Sequence, residues 1–255
     1  MDLQLQGKVA LVTGGSRGIG NAIATALAAE GCRLALCARG ADGLETAAQS
    51  LRAGGTEVYT GSLDVREAGA VQAFVDGAAR TFGGIDILVN NVGGSAGGTL
   101  LESTDADWLE TFELNLFHAV RATRCVVPHM PTGGTIVTVS SISGWKPAPK
   151  AQYGSTKAAE MFLAGALALE LAAAGIRVNT VCPGSILFPG GGWERFREQN
   201  PADFSLFETQ ELPAGRLGTP AEVADVVCFL CSPRANWING ASIPVDGAQG
   251  RPNPF

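Results

Sequence analysis

The stretch that most limits the fold is Thr13-Gly14-Gly15-Ser16-Arg17-Gly18-Ile19-Gly20, which closes the apolar run Lys8 to Thr13 and leads into the helix-like NAIATALAAEG. A short continuous apolar run is the mark of a strand buried on both faces of a parallel sheet. Strand, glycine turn and helix in succession is the context in which a Gly-rich spacing cradles phosphate. Gly14, Gly18 and Gly20 permit the tight turn and let backbone amides approach a pyrophosphate at the positive end of the helix. The spacing is G-x-x-x-G-x-G rather than the G-x-G-x-x-G of most dinucleotide folds.

The chain of 255 residues is long enough for one large α/β domain, residues 1–255, and a second full domain is not expected. Its charged share of 16% lies below the usual value of about 25%, as buried parallel strands require. Net charge is −6 with no Lys or Arg cluster, which argues against a nucleic-acid or anionic-membrane partner. The N-terminus has neither a basic segment nor the long apolar region of a secretory signal, and no apolar run approaches roughly 20 residues, so a cytoplasmic protein is expected. The six cysteines lie in apolar strand and helix contexts. Cys228 and Cys231, although spaced C-x-x-C, read as inert thiols on a core-facing helix.

Along the chain, the second strand (Arg33 to Ala38) closes with Arg39 where dinucleotide folds choose between cofactors. A carboxylate there binds the 2′-hydroxyl of NAD, whereas an arginine pairs a 2′-phosphate. Arg17 adds a second cation, so NADP(H) is expected. A helix from about Asp42 to Ala53 leads to the strand Glu57 to Gly61 and then Leu63-Asp64-Val65. Asp64 is placed either to accept from the adenine amino group or to cap the helix that Glu67 opens. The fourth strand, Asp86 to Asn90, ends in Asn90-Asn91-Val92-Gly93, whose amides suit strand ties or ligand contact at the carboxyl edge.

Asp105 to His129 reads as one long helical stretch carrying Asn115 among apolar neighbours, where its amide must find partners inside the fold. His118 and His129 share no metal-ligand spacing, and no metal site is readable; both read as surface or packing residues. The fifth strand, Thr135 to Ser140, delivers Ser140 and Ser141 to the ligand edge. On the next helix Tyr153 and Lys157, four apart, share a face, and an ammonium there pulls the phenol down from about pH 10 toward the range of a general acid or base. Strand six (Arg177 to Cys182) ends at Pro183-Gly184. The Gly- and aromatic-rich region at about 185–216 suits a lid whose apolar teeth are Phe188, Trp193, Phe196, Phe204 and Phe207. Thr219 to Glu222 starts a further helix, Ser242 to Val245 reads as the last strand, and Arg251 to Phe255 as a tail.

Together, T-G-x-x-x-G-x-G at Thr13 to Gly20, N-N-x-G at Asn90 to Gly93, Ser140, Y-x-x-x-K at Tyr153 to Lys157 and P-G at Pro183-Gly184 make the chain resemble the short-chain dehydrogenase/reductase family over nearly its whole length. The resemblance implies a Rossmann-like, doubly wound fold with seven parallel strands and helices on both faces. It implies a catalytic tetrad of Asn115, Ser140, Tyr153 and Lys157, and cofactor contacts from Gly14, Ser16, Arg17, Gly18, Ile19, Gly20, Arg39, Asp64, Val65, Asn91, Gly93, Tyr153, Lys157, Pro183, Gly184 and Ile186. Ser140 would hold the substrate carbonyl, Tyr153 would protonate it, Lys157 would hold the nicotinamide ribose, and Asn115 would hold a relay water. Assembly as a homotetramer or homodimer through Asp105 to His129 and Ala151 to Ala173 is also implied.

Three departures from the family pattern bear on function. Val92 replaces the alanine of N-N-A-G, and Phe188 stands where many relatives place a carboxamide-binding threonine. The stretches Pro128 to Thr132 and Ala172 to Gly175, where relatives acting on acyl-carrier-protein thioesters carry basic residues, have no Arg or Lys. The expected activity is therefore NADP(H)-dependent reduction of a free, mostly apolar ketone or 3-oxoacyl compound. A 3-oxoacyl-carrier-protein reductase and a non-catalytic NADP-binding sensor are the alternatives.

Overall fold

Seven strands align in parallel in the order β3-β2-β1-β4-β5-β6-β7; the computed structural model describes residues 1–251. They are β1 (Val9–Thr13), β2 (Arg33–Ala38), β3 (Val58–Ser62), β4 (Ile87–Asn90), β5 (Thr135–Val139), β6 (Arg177–Pro183) and β7 (Ser242–Val245). β1, β4, β5 and β6 are buried at every position, which is why they read as unbroken apolar runs rather than alternating ones. Alternate residues serve opposite faces: Ala10 and Val12 join one core, Val9 and Leu11 the other.

The first face is covered by α1 (Gly18–Ala29), α2 (Ala41–Ala53) and α9 (Pro220–Cys231), which bring Ile23, Leu27, Leu44, Leu51, Val223 and Val227 onto the sheet. The second is covered by α3 (Ala68–Phe82), α5 (His118–Val126) and α6 (Ala151–Glu170) through residues such as Val71, Phe74, Val126 and Ala164. Each fully buried Leu or Ile contributes about 1.5–3 kcal/mol relative to exposure. Neither face is wet. Among the described residues, no helix is long and apolar enough to cross a membrane.

The long helix expected over Asp105 to His129 is broken. α4 (Asp105–Phe112) passes through a π-turn at Glu113–Phe117 into α5, and Val127–His129 forms a 3-10 turn. The cause lies at Asn115. Its buried side-chain Nδ2 donates to the Thr111 carbonyl at 2.7 Å and to the Gly94 carbonyl at 2.6 Å, competing for an acceptor of the helical ladder.

The region at 185–216 folds into α7 (Gly192–Gln199) and α8 (Pro201–Glu211). Thr219 caps α9 with a box in which Glu222 answers the Thr219 amide at 2.8 Å. Of the expected tail, only Arg251 lies within the described residues.

Candidate active site

Parallel strands put all their carboxyl ends on one edge, and there the turns after β1, β2, β4, β5 and β6 surround a cleft of about 650 Å³. Every residue expected to contact a cofactor lines this cleft, from Gly14, Ser16, Arg17, Gly18, Ile19 and Gly20 through Arg39, Asp64, Val65, Asn91 and Gly93 to Pro183, Gly184 and Ile186. Ser140, Tyr153 and Lys157 line it too. Asn115 is wholly buried and sits behind the wall: a Cβ built on Gly93 would lie 2.8 Å from Asn115 Oδ1 and 3.2 Å from Lys157 Nζ.

The glycine turn fits a phosphate by construction. α1 begins at Gly18 with no side-chain cap and no acid in its first turn, so its leading amides are left for a ligand. Gly20 admits no side chain, because a Cβ there would run into the Gly14 carbonyl and the Asn91 amide. The Asn91 amide is the tie between strands: Nδ2 donates to the Thr13 and Gly14 carbonyls at 3.0 and 3.3 Å. Asn90 points away, its Nδ2 reaching Thr123 at 3.4 Å.

Arg39 is exposed at the end of β2, and Arg17 is exposed on the glycine turn, where Nη1 donates to the Gly190 carbonyl at 3.4 Å. Asp64 does not cap a helix. It accepts from the Arg66 backbone at 3.0 Å and pairs with the Arg66 guanidinium at 2.6 Å, which holds its carboxyl below the usual range, while Glu67 takes the N-cap position of α3. The short chain between Asp64 and Arg66 lets a neighbour two residues away outcompete the helix end.

At the other end of the cleft, α6 carries Tyr153 half-buried at the surface and Lys157 buried one turn below, Nζ lying 5.6 Å from the phenol ring centroid. Lys157 Nζ donates to the Val139 carbonyl at 3.1 Å, and Ser140 Oγ donates to the Lys157 carbonyl at 2.9 Å. Gln152 anchors the start of this helix: its buried Nε2 donates to the Ala96 carbonyl at 2.7 Å and holds the loop after β4 in place.

Lys157 has a partner that sequence reasoning missed. Glu160, 1% exposed, lies within 3.1 Å of Nζ through Oε1 and 3.0 Å through Oε2. A lone acid in Ala158-Ala159-Glu160-Met161-Phe162, three residues after the lysine, was the available signal.

The aromatic teeth divide. Phe188 and Trp193 line the cleft, the Phe188 ring resting against the Gly18 backbone. Phe196, Phe204 and Phe207 instead form a small core with Trp193, the Trp193 and Phe207 rings stacking at 4.6 Å. His118 is buried and held neutral, its pKa pushed by burial down to about 3; His129 pairs with Asp76 at 3.1 Å. Among the described residues, no three His, Cys, Asp or Glu side chains group where they could hold a metal.

The family model described as enoyl-(acyl carrier protein) reductase matches residues 14–248. The chain is 35% identical over 248 residues to the 3-oxoacyl-[acyl-carrier-protein] reductase of Vibrio cholerae, covering 96% of this chain and 98% of that protein. It is 32% identical over 249 residues to the 7α-hydroxysteroid dehydrogenase of Escherichia coli, at 96% and 95% coverage. Among solved structures, L-sorbose reductase from Gluconobacter frateurii complexed with NADPH and L-sorbose matches with a TM-score of 0.93 at 37% identity, over 99% of this chain and 100% of that one. A 7α-hydroxysteroid dehydrogenase complexed with NADH and 7-oxo glycochenodeoxycholic acid matches at 0.89 and 31%, over 96% and 95%.

Proposed function

The chain belongs to the short-chain dehydrogenase/reductase family of nicotinamide-dependent oxidoreductases, and from that premise we propose that it is an NADP(H)-dependent carbonyl reductase, or secondary-alcohol dehydrogenase, acting on a free, mostly apolar ketone or 3-oxoacyl compound. The observation that carries this reading is one cleft in which the uncapped start of α1 faces Ser140, Tyr153 and Lys157.

Gly14 to Gly20 would hold the pyrophosphate, Arg39 with Arg17 a 2′-phosphate, and Lys157 with Tyr153 the nicotinamide ribose; the bound nicotinamide supplies the hydride. Similar proteins hold NADPH in one case and NADH in another, so the preference is argued from Arg39. No acid stands at the end of β2, and the nearby Asp64 is engaged by Arg66. Tyr153 gives its proton to the substrate oxygen, with the buried Lys157 ammonium one helical turn below it. Ser140 steadies the same oxygen, for which its hydroxyl must leave the Lys157 carbonyl. Both Asn115 Nδ2 donors are engaged by the Gly94 and Thr111 carbonyls, and Oδ1 accepts from the Gly94 amide, so a relay water would be held through the remaining acceptor site of Oδ1. Phe188 and Trp193 supply apolar walls.

Reduction of a carrier-bound 3-oxoacyl thioester is the second reading, favoured by the similarity to the Vibrio cholerae reductase. Against it, Thr132 and Gly175 are neighbours in the fold, so the two stretches without Arg or Lys form one neutral surface. Exposed Phe162 and Leu169 on α6 and Leu109 on α4 support self-association, which sedimentation would measure.

The test is NADPH oxidation across ketones, diketones, 3-oxoesters and a carrier-bound thioester, with Tyr153→Phe as control. Turnover of a free ketone that falls about 10²–10⁴-fold in the variant, with NADPH binding near normal, is expected. Strong preference for the carrier-bound form would move the assignment to the second reading. NADPH binding without turnover of any compound would leave only a sensor.

A further inference from the structure

Glu160 is the only carboxylate buried among the described residues. Removing a carboxylate from water costs several kcal/mol unless an opposite charge and hydrogen bonds meet it. Here the meeting charge is Lys157, one helical turn away on α6, with both carboxylate oxygens about one hydrogen-bond length from Nζ. An ammonium has three N–H donors; Glu160 and the Val139 carbonyl from β5 draw on two of them, from the side away from solvent. The Ser140 hydroxyl, at the end of the same strand, is committed to the Lys157 carbonyl, which leaves the carboxylate to Lys157.

We propose that Glu160 is a positioning residue of this site: its carboxylate holds the Lys157 ammonium charged and clamped against the Val139 carbonyl, fixing the place from which that charge acts on the Tyr153 phenol and on a cofactor ribose. The inference rests on the role given to Lys157 above. Burial works against both charges, pushing the Glu160 carboxyl up while the Lys157 charge pulls it back; the Glu160 charge, followed by Tyr153, in turn holds Lys157 above the usual lysine range. Neighbouring elements offer no substitute. His118 on α5, pushed to about 3, and Cys182 on β6, pushed up to about 12 by burial, are both uncharged near neutrality. Asn115 and Ser140 carry no charge at any pH.

The test is the titration of Lys157 followed by NMR in cofactor-free protein with labelled lysine, its signal identified by loss in Lys157→Met. In the wild type, Lys157 is expected to keep its proton beyond the usual lysine range. In Glu160→Gln, which keeps the shape and removes the charge, the midpoint falls by about one pH unit or more. Relative to the wild type, ketone reduction by the same variant is expected to drop about tenfold one pH unit above the lowered Lys157 midpoint and to recover toward the wild-type rate at pH 6, where Lys157 is still protonated. A purely structural pair would leave the Lys157 midpoint unmoved and lower activity equally at every pH; either result in folded Glu160→Gln overturns the proposal. Should that variant not fold, Glu160→Asp decides, since its shorter reach separates the charges: a lowered midpoint supports the clamp, an unchanged one removes it. The titration needs no substrate. Failure of the ketone-reductase reading would therefore leave this result standing, and an unmoved midpoint in an active reductase would sink the clamp alone.

Discussion

At the scale of single residues, His118 shows how burial assigns a role by exclusion. It lies under the cleft with Nε2 3.5 Å from the Thr13 hydroxyl, and its pKa near 3 keeps it neutral through any physiological range. It therefore cannot serve as the acid, which is in keeping with the role proposed for Tyr153. The unfolded chain takes up a proton at this position below about pH 6.5, whereas the folded protein resists until about pH 3. Stability thus falls as pH falls through that window, by roughly 2 kcal/mol between pH 7 and 5. Urea unfolding at the two pH values should show His118→Asn losing less than the wild type over the same interval; equal losses would mean that the imidazole is already solvated. Burial also explains the cysteines: the thiols of Cys32, Cys37 and Cys228 are pushed up to about 12, and that of Cys231 well above the usual thiol range, so Cys228 and Cys231 stand as packing groups on α9.

At the scale of elements, the glycine turn and the lid behave differently. The turn is rigid because Gly20 has no room for even a methyl group against the Gly14 carbonyl. Gly20→Ala should cost about 1–3 kcal/mol and weaken nucleotide binding, as chemical denaturation and fluorescence titration would register; unchanged binding would mean the loop yields. The region at 185–216 is held by its own small core, so Phe204→Ala should remove up to about 3–5 kcal/mol of local packing. Faster proteolysis confined to residues 185–216, with the sheet intact, is the expected readout. The turn was legible in the sequence because strand, glycine spacing and helix all fall within twenty residues. Tyr153 and Lys157 were legible because a four-residue spacing puts two side chains on one helix face and the glycine turn, Ser140 and Asn115 stand beside it in the sequence pattern. The π-turn was not, since apolar periodicity runs through Glu113 to Phe117 unbroken, and only the buried Asn115 amide, bonding to Thr111, opens the ladder. Glu160 escaped for a related reason: a helix pattern gives spacing, but which face meets β5 is settled only by packing. The lid's teeth were counted correctly as apolar, yet their division between cleft and internal core depends on how α7 meets α8, which no local pattern encodes.

At the scale of the whole molecule, chemistry is assembled from turns far apart in the chain because a parallel sheet collects them on one edge. Gly14, Asn91, Ser140 and Gly184 end or follow four different strands, yet all reach one cleft, while α1 and α6 bring the glycine turn and the Lys157 cation to it from opposite faces of the sheet. A ligand bound across that edge would tie both cores together, and its binding energy would be added to the stability of the folded state alone. At a hundredfold excess over Kd this amounts to about 2.7 kcal/mol, or roughly 5–10 °C in Tm for a chain of this size. If Arg39 selects the 2′-phosphate, NADPH should raise Tm more than NADH at equal concentration. Arg39→Ala should abolish that difference while leaving the NADH shift and the ligand-free Tm where they were, because the side chain is exposed and supports no other part of the fold. Thermal scans of both proteins with each nucleotide would settle the matter: equal shifts in the wild type, or a preference that survives the substitution, would take the selection of cofactor away from the end of β2.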